Sequence, residues 1–368
     1  MDLSCLVKME EPVMNEIQNH AKQFVYVGCR TTEERNARGK GIKVFEIQPD
    51  GEWKLIQTVK NLVNPSYLCK DITGKYLYTI HGDFSEISAF SVDEKTGMLT
   101  YINTASTGGK NPVHLSVDKT NRWIYVANLQ TGTVAVIPRN EDGSVNDVSK
   151  LYGIDGKEEN TISHPHQVMQ DQTGDYLIVS CQGRKAGYGQ VDVFRIDHEE
   201  GSLEKSCVVR SREIAEPRHV AFHKNNKWCY GVNEKDYSVT FYEFDEGEGK
   251  LIAKQILPTL PDTYTGDGWA SGIVLSRDGK FIVVSNRKHD SITSFSIDQI
   301  TGKMKFCDCV KTGGGQPRFI TFLENENTVF AANETTDTIA EIKLDEETGK
   351  LSPTGKMIET ESPVCIIF

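Results

Sequence analysis

The stretch NPVHLSVDKTNRWIYVANLQTGTV, residues 111–134, lies without a gap over EPRHVAFHKNNKWCYGVNEKDYSV, residues 216–239. In each, a proline opens an alternating run, an asparagine follows nine residues after it (Asn121, Asn226), and a second alternating run returns. Alternation with a period of two marks a strand, and two such runs around an Asn or Gly turn make a β-hairpin. The same unit recurs at Pro65, Pro112, Pro165, Pro217, Pro317 and Pro363, with Ala270 in the proline place of WASGIVLSRDGKFIVVSNRKHDSI, at spacings of 46 to 53 residues. Runs such as TVAVIPR and SITSFSI supply a third strand, and a fourth follows the D-E-x-T-G-x-L turns at Asp93 and Asp345.

Four antiparallel strands repeated at this period indicate a β-propeller, whose blades pack face to face and leave only short edges. The last copy, SPVCIIF, is a single strand, while FVYVGCR near the start matches WIYVANL of the second copy. One blade is therefore completed by both ends of the chain. The expectation is an all-β, seven-bladed β-propeller of four-stranded antiparallel blades over residues 23–368, preceded by an N-terminal extension, residues 1–22.

The net charge of −11 opposes a nucleic-acid surface or an anionic membrane as partner. No apolar run approaches the roughly 20 residues that span a bilayer, and the first residues lack a secretory pattern, so a cytoplasmic location is expected. The nine scattered cysteines give no disulfide framework, and Cys307 and Cys309 are too close for a zinc knuckle. They read as small core residues.

Because the hairpin turns nine residues after the proline, the first and seventeenth positions past it converge at one mouth of the ring. The first reads Ser66, Val113, His166, Arg218, Ser271 and Arg318; the second reads Gly82, Leu129, Gln182, Glu234, Arg287 and Glu334, with Arg30 from the opening strand. The sixteenth is uniform, with Asn128, Asn233, Asn286 and Asn333, and reads as structural. Four arginines gathered at one end of an acidic protein suit an anionic small molecule held by fork-shaped donors. Pairing of Arg218 with Glu234 across the hairpin is the plain structural alternative. His164 and His166 with Glu234 form no complete metal set, and no metal or cofactor is expected. His166 suits a general base or proton shuttle. His114 and His219, one residue further along, are assigned to the opposite face as packing residues. His289 is placed either to orient Arg287 or to stand idle in its loop, Trp269 either to stack on a sugar ring, to cover one end of the site or to serve structure, and residues 140–163 form a long connection able to order over the mouth.

HPH at 164–166, PRH at 217–219, VNE at 232–234 and SNRKHDS at 285–291, in this order and spacing, resemble the seven-bladed propeller lactonase family. That family includes the bacterial cycloisomerase-like 6-phosphogluconolactonases and the fungal carboxy-cis,cis-muconate cyclases. The resemblance implies His166, Arg218, Glu234 and Arg287 as catalytic residues, and metal-free hydrolysis of 6-phosphogluconolactone in the pentose phosphate pathway. Arg30, His164, Gln182, Trp269, His289, Arg318 and Glu334 complete the expected substrate-binding set. Cys181-Gln182-Gly183, Ala270-Ser271-Gly272 and Gly28-Cys29-Arg30 depart from the family pattern at mouth positions. A carboxymuconate cycloisomerase using the same arginines, and a non-catalytic propeller that binds a protein, are the competing readings.

Overall fold

The computed structural model describes residues 22–323 and 326–368. Apart from Lys22, the expected N-terminal extension lies outside the described residues. Seven four-stranded antiparallel sheets form the molecule, as the repeat predicts. Their innermost strands are Pro65–Lys70, Pro112–Val117, His164–Gln170, Pro217–Phe222, Ala270–Leu275, Pro317–Phe322 and Pro363–Ile367, which define blades 1 to 7 in that order. Each inner strand touches the next, and the last touches the first. The ring is closed within blade 7, where Tyr26 pairs with Ile367 and Gly28 with Cys365. Residues 140–163 are not one long connection: they contain Lys150–Gly153, the outer strand of blade 2. Its short run KLYG alternates too briefly to be read as a strand beforehand.

Each cleft between neighbouring sheets holds its own hydrophobic cluster. In the first, Tyr78, Ile80 and Ala89 of blade 1 meet Leu115, Ile124 and Val126 of blade 2. Strands buried on both faces explain why the runs are so rich in Val, Ile and Tyr, each aliphatic side chain contributing about 1.5–3 kcal/mol on burial. The tyrosines carry a polar tip that needs a partner, and three of them find it in the outer turn of the next blade, whereas the buried Tyr125 hydroxyl has none. Tyr26 donates to the Gly97 carbonyl at 2.9 Å, Tyr78 to Gly143 at 3.0 Å and Tyr230 to Gly302 at 2.8 Å. Gly302 has φ +71, and a Cβ there would lie 2.5 Å from Phe241 and 2.8 Å from Trp228. Turn geometry and close approach both require glycine at that point.

The repeated asparagines tie the inner hairpin to the third strand. Asn233 donates to Ser238 at 2.8 Å and Thr240 at 3.0 Å, and Asn286 to Thr293 at 3.1 Å while accepting from Thr259 at 2.7 Å. His81 stands in their place in blade 1, between the Val63 carbonyl and Ser88, each at 2.7 Å.

The site is shaped by a β-bulge that recurs after the proline. Pro217 pairs with Asn233 and His219 with Val232, which leaves Arg218 without an opposite residue. The same skip leaves Ser66, Val113, His166 and Arg318 unpaired, and in blade 5 it spans Ser271 and Gly272. A bulge bends its strand and re-aims side chains, so the strict inside-outside alternation fails at this step. Arg218 and His219, Ser66 and Tyr67, and Arg318 and Phe319 all line one central pocket as adjacent pairs. This corrects the expectation for His219, which lines the channel. His114 is a packing residue behind that lining, with ring centroids 4.0 Å from Tyr67 and 5.6 Å from His219.

Candidate active site

At the mouth, the second inner strand of blade 4 ends at Asn233 and delivers Glu234 beside the bulged Arg218. One carboxylate oxygen of Glu234, Oε2, lies 2.9 Å from Arg287 Nη2 and 3.1 Å from Arg218 Nε; the other, Oε1, accepts the Trp269 indole N–H at 2.7 Å. Arg287 stacks over the Trp269 ring at 4.1 Å, and its Nη2 donates to the Ala270 carbonyl at 3.2 Å. Arg218 donates through Nη1 to the Ser271 carbonyl at 2.9 Å. These contacts fix both guanidinium planes and leave Arg287 Nε without an acceptor. Buried donors without acceptors are costly unless a ligand uses them.

Burial alone pushes the Glu234 carboxyl up, but Arg287 and Arg218, helped by the Trp269 hydrogen bond, outweigh it and hold the group well below the usual carboxylate range. Glu234 is thus a fixed anion. His166 is buried with its ring 5.2 Å from that of His219 and with Nδ1 unpartnered. Burial, and then the positive charge of Arg218, drive its pKa well below the ordinary 6.5, so it is a neutral imidazole at neutral pH.

The remaining expected residues divide. Arg30 and Arg318 line the pocket with His166 and Arg218, and Glu334 pairs with Arg318 at 3.5 Å. His164 sits at the mouth with Nδ1 2.9 Å from the Leu129 carbonyl, opposite Gln182, which receives Arg184 at 3.4 Å. His289 takes no part in orienting Arg287. Its Nδ1 lies 2.8 Å from Ser291 and its ring packs 4.5 Å from Tyr264. Tyr67 and Phe319 line the pocket without having been singled out, and His219 does so against its assignment to packing. Their signal was the proline-to-asparagine offset of sixteen, which is one short of the register the rest of the hairpin keeps.

The volume open to the centre of a water-sized sphere in this pocket is ≈ 20 Å³. On that measure a single water needs about 10–15 Å³, so the pocket admits one small group and a sugar ring must rest above it at the mouth. Among the described residues no group of three or more His, Cys, Asp or Glu is placed to hold a metal ion. All eight described cysteines are free thiols. Among the described residues no helix is long and apolar enough to cross a membrane.

Residues 24–368 match the family model described as lactonase, 7-bladed beta-propeller. The chain belongs to the seven-bladed β-propeller lactonase family. A family member named 6-phosphogluconolactonase from Bacillus subtilis (strain 168) is 30% identical over 355 residues, covering 94% of this chain and 98% of the relative. A 6-phosphogluconolactonase from Formosa agariphila is 30% identical over 331 residues, covering 85% and 91%. The solved structure of the Pseudomonas aeruginosa periplasmic gluconolactonase PpgL superposes with a TM-score of 0.86 at 25% identity, covering 94% of this chain and 99% of that one.

The buried imidazoles make this lactonase propeller sensitive to acid. Burial and Arg218 push His114 down to about 3, and His166 and His219 fall well below 6.5. In the unfolded chain the same groups protonate near 6.5, so below that pH the unfolded state binds more protons. Their stabilisation is complete above pH 6.5 and is lost as pH falls, at about 1.4 kcal/mol per pH unit for each histidine. Urea midpoints at pH 7.5, 6.5 and 5.5 should fall steeply over the last step, before carboxylates titrate; equal midpoints at 6.5 and 5.5 contradict neutral buried histidines.

Proposed function

We propose that this protein hydrolyses an anionic sugar lactone, 6-phospho-D-glucono-1,5-lactone, to 6-phosphogluconate, with His166, Arg218, Glu234 and Arg287 as the catalytic set. The reading rests on one observation above others: two guanidinium groups fixed by one carboxylate stand beside a neutral imidazole at the mouth of a lactonase-family propeller. The names of the relatives supply the substrate.

In this mechanism the lactone ring lies at the mouth, with Trp269 at its edge. A water beside His166 at the mouth attacks the carbonyl carbon while His166 accepts its proton. The charge that develops on the carbonyl oxygen meets Arg218 and Arg287, donors already oriented by Glu234, Ser271 and Ala270, so little reorganisation is needed. The carbon to ring-oxygen bond then breaks, and the ring oxygen takes the proton from His166 to become a hydroxyl. The new carboxylic acid releases its own proton to solvent. Glu234, gripped by three donors, is too weak a base for the first step, and its task is orientation. A phosphorylated substrate also fits a cytoplasmic location, since a sugar phosphate does not cross a membrane unaided.

The test is the initial rate of opening of freshly generated 6-phosphogluconolactone, unphosphorylated gluconolactone and, in the closing direction, a carboxymuconate, each corrected for the spontaneous reaction. Acceleration greatest for the phosphorylated lactone is expected. Acceleration of the muconate alone transfers the site to cycloisomerisation, and acceleration of none refutes an enzyme of this class.

A further inference from the structure

The four mouth arginines follow one another around the ring on blades 4, 5, 6 and 7. Arg218 and Arg287 belong to blades 4 and 5 and share Glu234 at 3.1 and 2.9 Å. Arg318 of blade 6 and Arg30 of blade 7 continue the arc, and their acidic contacts are longer: Arg30 to Asp83 at 3.4 Å and Arg318 to Glu334 at 3.5 Å. Asp83 is already occupied, since Arg35 grips both of its oxygens and Asn64 donates to it at 3.1 Å. Arg30 is only 3% exposed, its Nε has no partner, and neither has the buried hydroxyl of Ser66 beside it.

Gly82 bears this out from the other direction. It occupies the seventeenth position of blade 1, where other blades carry Leu129, Gln182, Glu234, Arg287 and Glu334. A Cβ at Gly82 would fall 2.6 Å from Ser66 Oγ and closer still to Arg30 Nη1. No positive φ demands glycine here. The bare residue makes room for a guanidinium laid across the mouth.

We infer that Arg30, Arg318 and Ser66 form an anion-binding pole at one end of this arc that receives the phosphoryl group of the substrate, while Arg218 and Arg287 at the other end receive the lactone carbonyl. The inference rests on the lactone-hydrolase reading and assigns its specificity. Two like-charged forks with loose acidic partners and spare donors suit a phosphate ester, which offers several acceptor oxygens. Burial, and then the neighbouring charge of Arg318, bring the Arg30 guanidinium down to about 9, a tension that a bound anion relieves. The substrate carries its phosphate at the end of the sugar chain remote from the carbonyl, and the two ends of the arc match that layout. Arg30 and Arg318 are specificity residues here, and Gly82 is a positioning residue acting through Arg30.

The experiment measures kcat and KM for 6-phosphogluconolactone and gluconolactone, and binding of inorganic phosphate by calorimetry, in the wild type, Arg30→Met, Arg318→Met and Gly82→Ala. Loss of one charge-assisted contact should raise KM for the phosphorylated lactone about tenfold or more, with a much smaller change in kcat, and weaken phosphate binding by a similar factor. Gly82→Ala should move KM the same way, which keeps the test open if an arginine variant folds poorly. Two outcomes overturn the pole: an unchanged preference for the phosphorylated lactone in all three variants, or a fall in kcat equal on both lactones. If the wild type opens neither lactone yet binds phosphate in an Arg30-dependent way, the hydrolase reading fails and the anion pole stands. If it opens the phosphorylated lactone but binds no phosphate, the pole fails and the hydrolase reading stands.

Discussion

His166→Gln should lower kcat for 6-phosphogluconolactone by about 10²–10⁴-fold, the range lost with a positioned general base, and leave KM within a few-fold. The side chain is buried, neutral and free of any hydrogen bond at Nδ1. Removing it breaks no ion pair and exposes no charge, so the melting temperature should move little. Glutamine keeps polar reach but exchanges no proton near neutral pH, which separates proton transfer from packing. The wild-type rate should also stay level as pH falls from 7.5 through 6.5, because the competent form is the neutral imidazole and its pKa lies well below 6.5. A variant with kcat close to wild type removes His166 from the mechanism. A rate that halves near pH 6.5 contradicts a depressed pKa.

Glu234→Ala should be the most damaging single change for stability. It removes the carboxylate that lies 3.1 Å from Arg218 and 2.9 Å from Arg287 and leaves the Trp269 N–H without its acceptor. Both guanidinium groups are 3% exposed and would remain buried without their counter-charge. Breaking a buried pair in this way costs about 3–5 kcal/mol, measured as a change in the urea unfolding free energy at pH 7.5. Turnover should fall by about 100-fold or more, because the two donors meant for the carbonyl oxygen lose their fixed direction. Glu234→Gln keeps the shape and one acceptor, so its stability loss should be smaller while its turnover is still depressed. Equal stability of wild type and Glu234→Ala contradicts a buried, mutually dependent triad.

Much of this was written in the repeat. The proline places, the Gly or Asn nine residues on and the matching FVYVGCR and SPVCIIF ends predicted seven blades and their closure, because each blade must solve the same packing problem. Variation at the first and seventeenth positions, against uniform asparagine at the sixteenth, separated candidate site residues from scaffold for a physical reason: only the mouth is free of that packing problem. What stayed hidden depends on backbone events and on tertiary contact. The bulge at Arg218 and His166 turns consecutive residues toward one channel, so parity placed His219 on the wrong face. The strand Lys150–Gly153 is held by pairing with Thr133–Val136 rather than by its own pattern. His289 follows Arg287 closely in sequence, but packing on Tyr264 draws it aside.

The central claim is that fixed arginines at the mouth stabilise a lactone transition state, and Arg287→Ala tests it most directly. The measurement is kcat/KM for freshly generated 6-phosphogluconolactone, beside a thermal melt of the same samples. Loss of one preorganised donor predicts a fall of about 10²–10³-fold, with a folded protein whose Glu234 keeps Arg218 and Trp269. An unchanged kcat/KM in a wild type that opens the lactone would place the chemistry elsewhere and contradict the account.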